Sequence, residues 1–245
     1  MANQEDDSEG GIVPNFIYED LQDLSENKET PLRKVAEKFQ FPLTMNDFKD
    51  LGLLGLRFEK MEDAYGLSLP QIGINKRAFI FEVRHPVEGD QSEPKSEHSQ
   101  PLADDIDPMG EVDLKKIMEQ KEPGEIWPKT LWINPTYTIP RDAVLDEGYE
   151  VCYSLKCKDD LVIGPVFRLN RINYRAYDAE GRIYEGQVEG EVARVIQHEI
   201  DHLDGKLFID YVQPERVMQL PDYIEKKGNG QLQPLEKGVV PQFSN

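Results

Sequence analysis

The chain reads as an α+β fold in which antiparallel β-sheets pack around one central helix. Three observations predict it. Residues 190–208, GEVARVIQHEIDHLDGKLF, carry apolar positions Val192, Val195, Ile196 and Leu203 at helical spacing, with Gly205 as a stop signal. Upstream, strand-like segments follow one another at 131–137, 146–155 and 161–178, and a turn at 178–182 leads into a partner strand. A second amphipathic helix is confined to residues 44–64.

The elements follow in order. Residues 1–28 form an acidic N-terminal extension, with 1–12 as a disordered tail. Residues 31–40, PLRKVAEKFQ, read as a short helix or turn. The helix at 44–64 takes Asn46 as its N-cap, shows Phe48, Leu51, Leu54, Leu56 and Met61 as its apolar positions, and is interrupted near Gly52 and Gly55. RAFIFEV (77–83) is a buried strand. Residues 86–125 then hold twelve acidic residues, four lysines and five prolines, an acidic insertion with one helical stretch at 111–120. Residues 161–178 read as one half-buried strand segment, with Arg171, Asn173 and Arg175 alternating with Ile172, Tyr174 and Ala176. One domain therefore spans 29–220, and 221–245 is a loose tail.

Composition excludes several function classes. The 245 residues carry a formal net charge of −19, which opposes direct nucleic-acid binding and an anionic membrane surface. No apolar run is long enough to span a bilayer. The acidic start, MANQEDDSEGG, lacks the basic and apolar regions of a signal peptide. The expected location is cytoplasmic, or mitochondrial or plastid if a presequence has been removed. Two cysteines, Cys152 and Cys157, make no disulfide framework.

The central helix carries the chemistry. His198, Glu199 and His202 spell H-E-x-x-H. Residues four apart share a helix face, so both imidazoles can point at one ion, with Glu199 beside them to orient or deprotonate a water. Asp201 can serve as a supporting or capping group. The third ligand must come from elsewhere. No histidine follows His202, Glu215 and Glu225 sit in weakly structured segments, and His85 and His98 flank the acidic insertion. Cys152, in the apolar strand EVCYSL, suits a tetrahedral site with two imidazoles. Its competitor, Cys157, lies among charges and reads as a free structural thiol.

Here the residues resemble the peptide deformylase family, whose motifs are G-x-G-x-A-A-x-Q, E-G-C-x-S and H-E-x-D-H. HEIDH matches the third in full. The segment 150–154, EVCYS, matches the second with Val151 in place of glycine. The segment 64–71, AYGLSLPQ, keeps Gly66 and Gln71 of the first but loses its opening glycine and its alanine pair. The resemblance runs from about residue 30 to 212, apart from the insertion.

The resemblance implies antiparallel sheets around a metal-binding HExDH helix. It implies a metal-dependent hydrolase that takes the formyl group from N-formylmethionyl peptides of nascent proteins and works near the ribosome. Cys152, His198 and His202 would hold one divalent ion, Fe²⁺ by family habit, with Zn²⁺ or Ni²⁺ as substitutes. Glu199 would be the base. The Gln71 amide and the backbone N–H of Tyr153 would receive the oxyanion. Tyr65, Gly66 and Val151 would meet the substrate backbone, and Arg194 and Glu191 would border the pocket for its first side chain. Glu150 and Arg168 could pair across their strands. The altered motifs motivate two rivals: a divergent homologue with another N-blocked peptide substrate or little activity, and an HExxH endopeptidase.

Overall fold

The computed structural model describes residues 17, 19–20, 30–61, 64–84 and 125–238. Most of the acidic extension, His85, His98 and the helical stretch expected at 111–120 lie outside them. In chain order the strands are β1 (Glu19–Asp20), β2 (Gly66–Ser68), β3 (Ala78–Arg84), β4 (Glu125–Thr138), β5 (Leu145–Cys157), β6 (Asp160–Leu169), β7 (Arg171–Tyr177), β8 (Ile183–Glu189), β9 (Met218–Gln219) and β10 (Lys237–Gly238). The helices are α1 (Met45–Phe58), α2 (Gly190–Leu203) and α3 (Leu220–Gly228).

Two five-stranded sheets result. One is antiparallel in the order β2-β3-β4-β7-β8. The other is built on the β5–β6 hairpin, with β9 on β6 and with β1 and β10 on β5. The segment 161–178 is thus two strands in different sheets. Asn170 makes the break: its N–H donates to the Val144 carbonyl and its Oδ1 accepts from the Val144 N–H, both at 2.9 Å. The apolar positions change parity at that corner, from Phe167 and Leu169 to Ile172, Tyr174 and Ala176, so one continuous strand cannot keep them on one face.

Helix α1 is continuous through Gly52 and Gly55. Both face open space, and the cost of about 1 kcal/mol per glycine is offset by buried Leu51, Leu54 and Phe58. Phe48 and Leu56 are exposed, so the apolar stripe is narrower than the pattern suggests. The cap is Thr44, not Asn46. Asp47 N–H donates to Thr44 Oγ1 (3.2 Å), and Thr44 N–H donates to Asp47 Oδ2 (2.8 Å).

Helix α2 lies between the sheets. Its buried Val192, Ile196 and Leu203 pack into one cluster with Phe79, Phe81 and Trp132 of the first sheet, each such burial contributing roughly 1.5–3 kcal/mol. The helix stops before Gly205, at φ 69°. Leu203 carbonyl accepts from Ala36 N–H (2.8 Å) and Arg77 Nη1 (3.3 Å), so the helix end is satisfied. Just beyond, Leu207 and Phe208 pack with Val162 and Val166 of the second sheet.

The loose tail expected from 221 is ordered through 238. Proline at the start of α3 suits the first helical turn, and Tyr223 of this helix packs on Tyr149, centroids 4.8 Å apart. Glu147, buried on β5, pairs with Arg216 and accepts from Glu236 N–H at 3.0 Å, which holds β10 in place. Among the described residues no helix is long and apolar enough to cross a membrane.

Candidate active site

Strand alternation on β5 turns Glu150, Cys152 and Ser154 inward and leaves Val151 at the surface. The ladder to β6 jumps from Val151↔Ile163 to Lys156↔Leu161, a bulge beside Cys152 that bends β5 locally. Helix α2 presents His198 and His202 one turn apart, ring centroids separated by 5.0 Å. Cys152 Sγ lies 3.3 Å from His202 Nε2, and the ligand atoms of Cys152, His198 and His202 all fall within 4.8 Å of one another. Tetrahedral ligands at metal distances stand roughly 3.5 Å apart, so this donor set fits one divalent ion. Cys157 ends β5 five residues away, Glu215 sits in the turn Pro214–Arg216, and Glu225 is on α3; none joins the group.

The site is held from behind. Glu150 Oε2 accepts from His198 Nδ1 at 3.0 Å, which leaves the other ring nitrogen for an ion. Arg168 grips the same carboxylate through Nε (2.9 Å) and Nη2 (2.8 Å), and Arg194 Nη1 adds a third contact at 2.8 Å. Burial pushes the Glu150 carboxyl up, but Arg168 and His198 overcome this and hold it well below the carboxylate range. Arg168 also pairs with Asp201, whose Oδ1 accepts from the Tyr211 hydroxyl at 2.9 Å. Burial drives His202 well below the ordinary histidine range, towards the neutral form that ligates.

Glu199 is buried beside these ligands, and its Oε2 has no hydrogen-bond partner among the described residues. Burial lifts its carboxyl to about 7, against downward pulls from His198 and Ser68. That value suits a group that both takes and gives a proton near neutrality. Gly66 makes room for it, since a Cβ there would fall 2.3 Å from Glu199 Oε1. Gln71 follows β2 in a 3₁₀ turn. Its Oε1 accepts from Ser68 N–H (2.7 Å) and Ser68 Oγ (2.9 Å), and its Nε2 donates to Ser154 Oγ (3.2 Å).

An open cleft of about 290 Å³ joins these groups. Tyr65, Gly66 and Gln71 line one side, Val151, Cys152 and Tyr153 another, and Glu191, Arg194, His198 and Glu199 of α2 a third. Of the residues expected to hold the ion, carry the proton, receive the oxyanion or meet the substrate, all line this cleft except His202, which is 1% exposed. Glu150 and Arg168 do pair. The sequence reading assigned nothing to Ser68, Ser154 or Tyr211. Ser154 was findable, because it shares strand parity with Glu150 and Cys152.

A Cys-His-His donor set, a buried carboxyl tuned to neutrality and a cleft between two sheet edges are together the arrangement of a mononuclear metal-assisted hydrolase. A sequence profile described as polypeptide deformylase matches residues 21–217. Over 215 residues the chain is 36% identical to peptide deformylase 2 of Rickettsia conorii, covering 88% of this chain and 91% of that one. It is 30% identical to a peptide deformylase of Cellvibrio japonicus over 84% of this chain and 95% of that one. The fold is similar to that of an Acinetobacter baumannii class I type b peptide deformylase bound to Met-Ala-Ser, with TM-score 0.54 at 18% identity, covering 82% of this chain and 99% of that one. It is likewise similar to a Synechococcus elongatus peptide deformylase in complex with actinonin, with TM-score 0.53 at 23% identity, covering 89% and 88%. The chain belongs to the polypeptide deformylase family, hydrolases that remove the N-terminal formyl group from nascent peptides.

Proposed function

We propose that this chain hydrolyses N-formylmethionyl peptides to formate and a peptide with a free amino terminus, using Glu199 as its proton carrier. The observation that carries this reading is the buried Glu199 carboxyl, its Oε2 without a hydrogen-bond partner among the described residues, beside a Cys152–His198–His202 group whose ligand atoms lie within 4.8 Å of one another. A divalent ion held there, Fe²⁺ by family habit with Zn²⁺ or Ni²⁺ as substitutes, would supply Lewis-acid chemistry, acidifying a water and polarising the formyl oxygen. Glu199 takes the proton from the attacking water and delivers it to the leaving nitrogen as the C–N bond breaks. The Gln71 amide, fixed by Ser68 and Ser154, and the Tyr153 backbone N–H donate to the developing oxyanion. The substrate backbone lies as a short strand along Tyr65 and Gly66 on one side and Val151 on the other, both of which line the cleft. Such substrates occur where translation begins with formylmethionine, at the ribosome of a cytoplasm or an organelle.

The test is formate release from formyl-Met-Ala-Ser by Fe²⁺-loaded protein under anaerobic conditions, beside Glu199→Ala and Cys152→Ala. Turnover in the parent that both variants lose supports the assigned roles. A parent that binds metal stoichiometrically yet releases no formate points to another N-blocked substrate.

A further inference from the structure

We propose that Arg194 is the specificity-determining residue for the substrate's first side chain. With Glu191 it makes the pocket select a neutral side chain bearing a hydrogen-bond acceptor over an aliphatic chain of equal length. The inference rests on the formyl-peptide reading above and deepens it.

In a formylated peptide the first side chain leaves the carbon next to the formyl nitrogen. With the formyl group at Cys152, His198 and Glu199, that side chain starts within reach of the helical wall of the cleft that precedes His198. Arg194 stands there, one helical turn before His198, with Glu191 beside it at the surface. Arg194 is fixed in place. Its Nη1 donates to Glu150 Oε1 (2.8 Å) and the Val166 carbonyl (3.1 Å), and its Nη2 donates to the Asp146 carbonyl (2.8 Å). Its guanidinium fills the space over Gly148, where a Cβ would fall 2.7 Å from Cζ and Nη2.

A guanidinium has five N–H donors. These contacts use three, and no other acceptor meets Arg194 among the described residues. The side chain keeps 13% exposure, in a residue that lines the cleft. A charged donor left unmatched under methylenes is costly, whereas an acceptor placed on it is rewarded. Charge narrows the choice further. Arg194 repels a basic side chain, and Glu191 beside it repels an acidic one. A neutral acceptor remains: a thioether sulfur weakly, an amide or sulfoxide oxygen strongly.

Formate release by metal-loaded protein is measured for formyl-Met-Ala-Ser and for analogues with methionine sulfoxide or norleucine in first position. Dissociation constants of the three deformylated tripeptides are measured in parallel by calorimetry. The expected result is a sulfoxide-over-norleucine preference of at least tenfold in the parent, in kcat/KM and in Kd, that falls towards one in Arg194→Leu. Gly148→Ala, which displaces the guanidinium without removing it, guards against failure of Arg194→Leu to fold. A parent preference below tenfold, or one unmoved in every folded variant, overturns the proposal. If none of the formyl peptides releases formate, the formyl-peptide reading fails, and the binding ratios still decide on Arg194; tripeptides that do not bind at all overturn both.

Discussion

Gly66 and Glu199 occupy the same small volume: the Cβ that glycine lacks would lie 2.3 Å from Glu199 Oε1 and 2.7 Å from its Cδ. The edge strand β2 and the helix α2 therefore meet through the proposed proton carrier itself. Gly66→Ala should push the Glu199 carboxylate out of register. Because positioning errors of about 1 Å cost on the order of 10²-fold, kcat/KM for formyl-Met-Ala-Ser should fall by about that factor. Circular dichroism should be unchanged; an unchanged rate would mean that Glu199 is not held by this contact.

Gln71 and Ser154 separate a donor from the residue that aims it. Gln71→Ala removes a proposed oxyanion donor and should lower kcat by roughly 10²–10³ with little change in KM. Ser154→Ala only frees the amide held at 3.2 Å, so its loss should be smaller, about tenfold. Equal losses in the two variants would argue that Ser154 acts directly.

Arg168 is 6% exposed and is shared by Glu150 and Asp201. Arg168→Met leaves buried Asp201 without its cation and Glu150 with Arg194 alone, a loss of about 3–5 kcal/mol. Urea unfolding should register it. Metal affinity, read by competition with a chelator, should weaken by roughly 10–100-fold, because Glu150 then orients His198 less firmly.

Asp47 sets an acid limb of stability. Lys76 at 2.7 Å and the Thr44 hydroxyl lower its carboxyl from 3.8 to about 2. A depressed folded value stabilises above the unfolded value and is lost as pH falls through the folded one. About 2 kcal/mol should therefore be present at pH 5 and disappear between about pH 4 and pH 2. Urea midpoints across that range should flatten in Asp47→Asn.

Metal removal should act on stability as well as activity. A ligand bound by the folded chain alone raises its melting temperature, with the logarithm of ligand concentration over Kd. Chelation should lower Tm in the parent and leave Cys152→Ala unmoved; a parent Tm indifferent to chelator would count against a bound ion.

Period and spacing made much of this legible. His198 and His202 at i, i+4 define a shared helix face, and an apolar strand around Cys152 offers the soft third ligand, so the metal group follows from local geometry. The break at Asn170 left only a parity change in the sequence, between Leu169 and Ile172, and the exchange of bonds with Val144 is what sends β7 to the other sheet. The Thr44 cap was misread because Thr44, Asn46 and Asp47 are all plausible helix starters, and the choice depends on which hydroxyl meets which N–H. Order in residues 220–238 was hidden because their polar composition says nothing of the buried Glu147 that Arg216 and Glu236 reach.

The sequence by itself pointed to the Cys-His-His group, to the carboxyl proposed as base and to the family, since these depend on residue type at spacings that helix and strand periods convert directly into shared faces. Only the tertiary structure decided how the pocket is tuned. The Glu199 carboxyl rises to about 7 because it is buried. Arg194 becomes a fixed wall because Glu150, Asp146 and Val166 converge on it from strands that lie far away in the chain. Desolvation and hydrogen-bond convergence are properties of the packed whole, and no local pattern carries them.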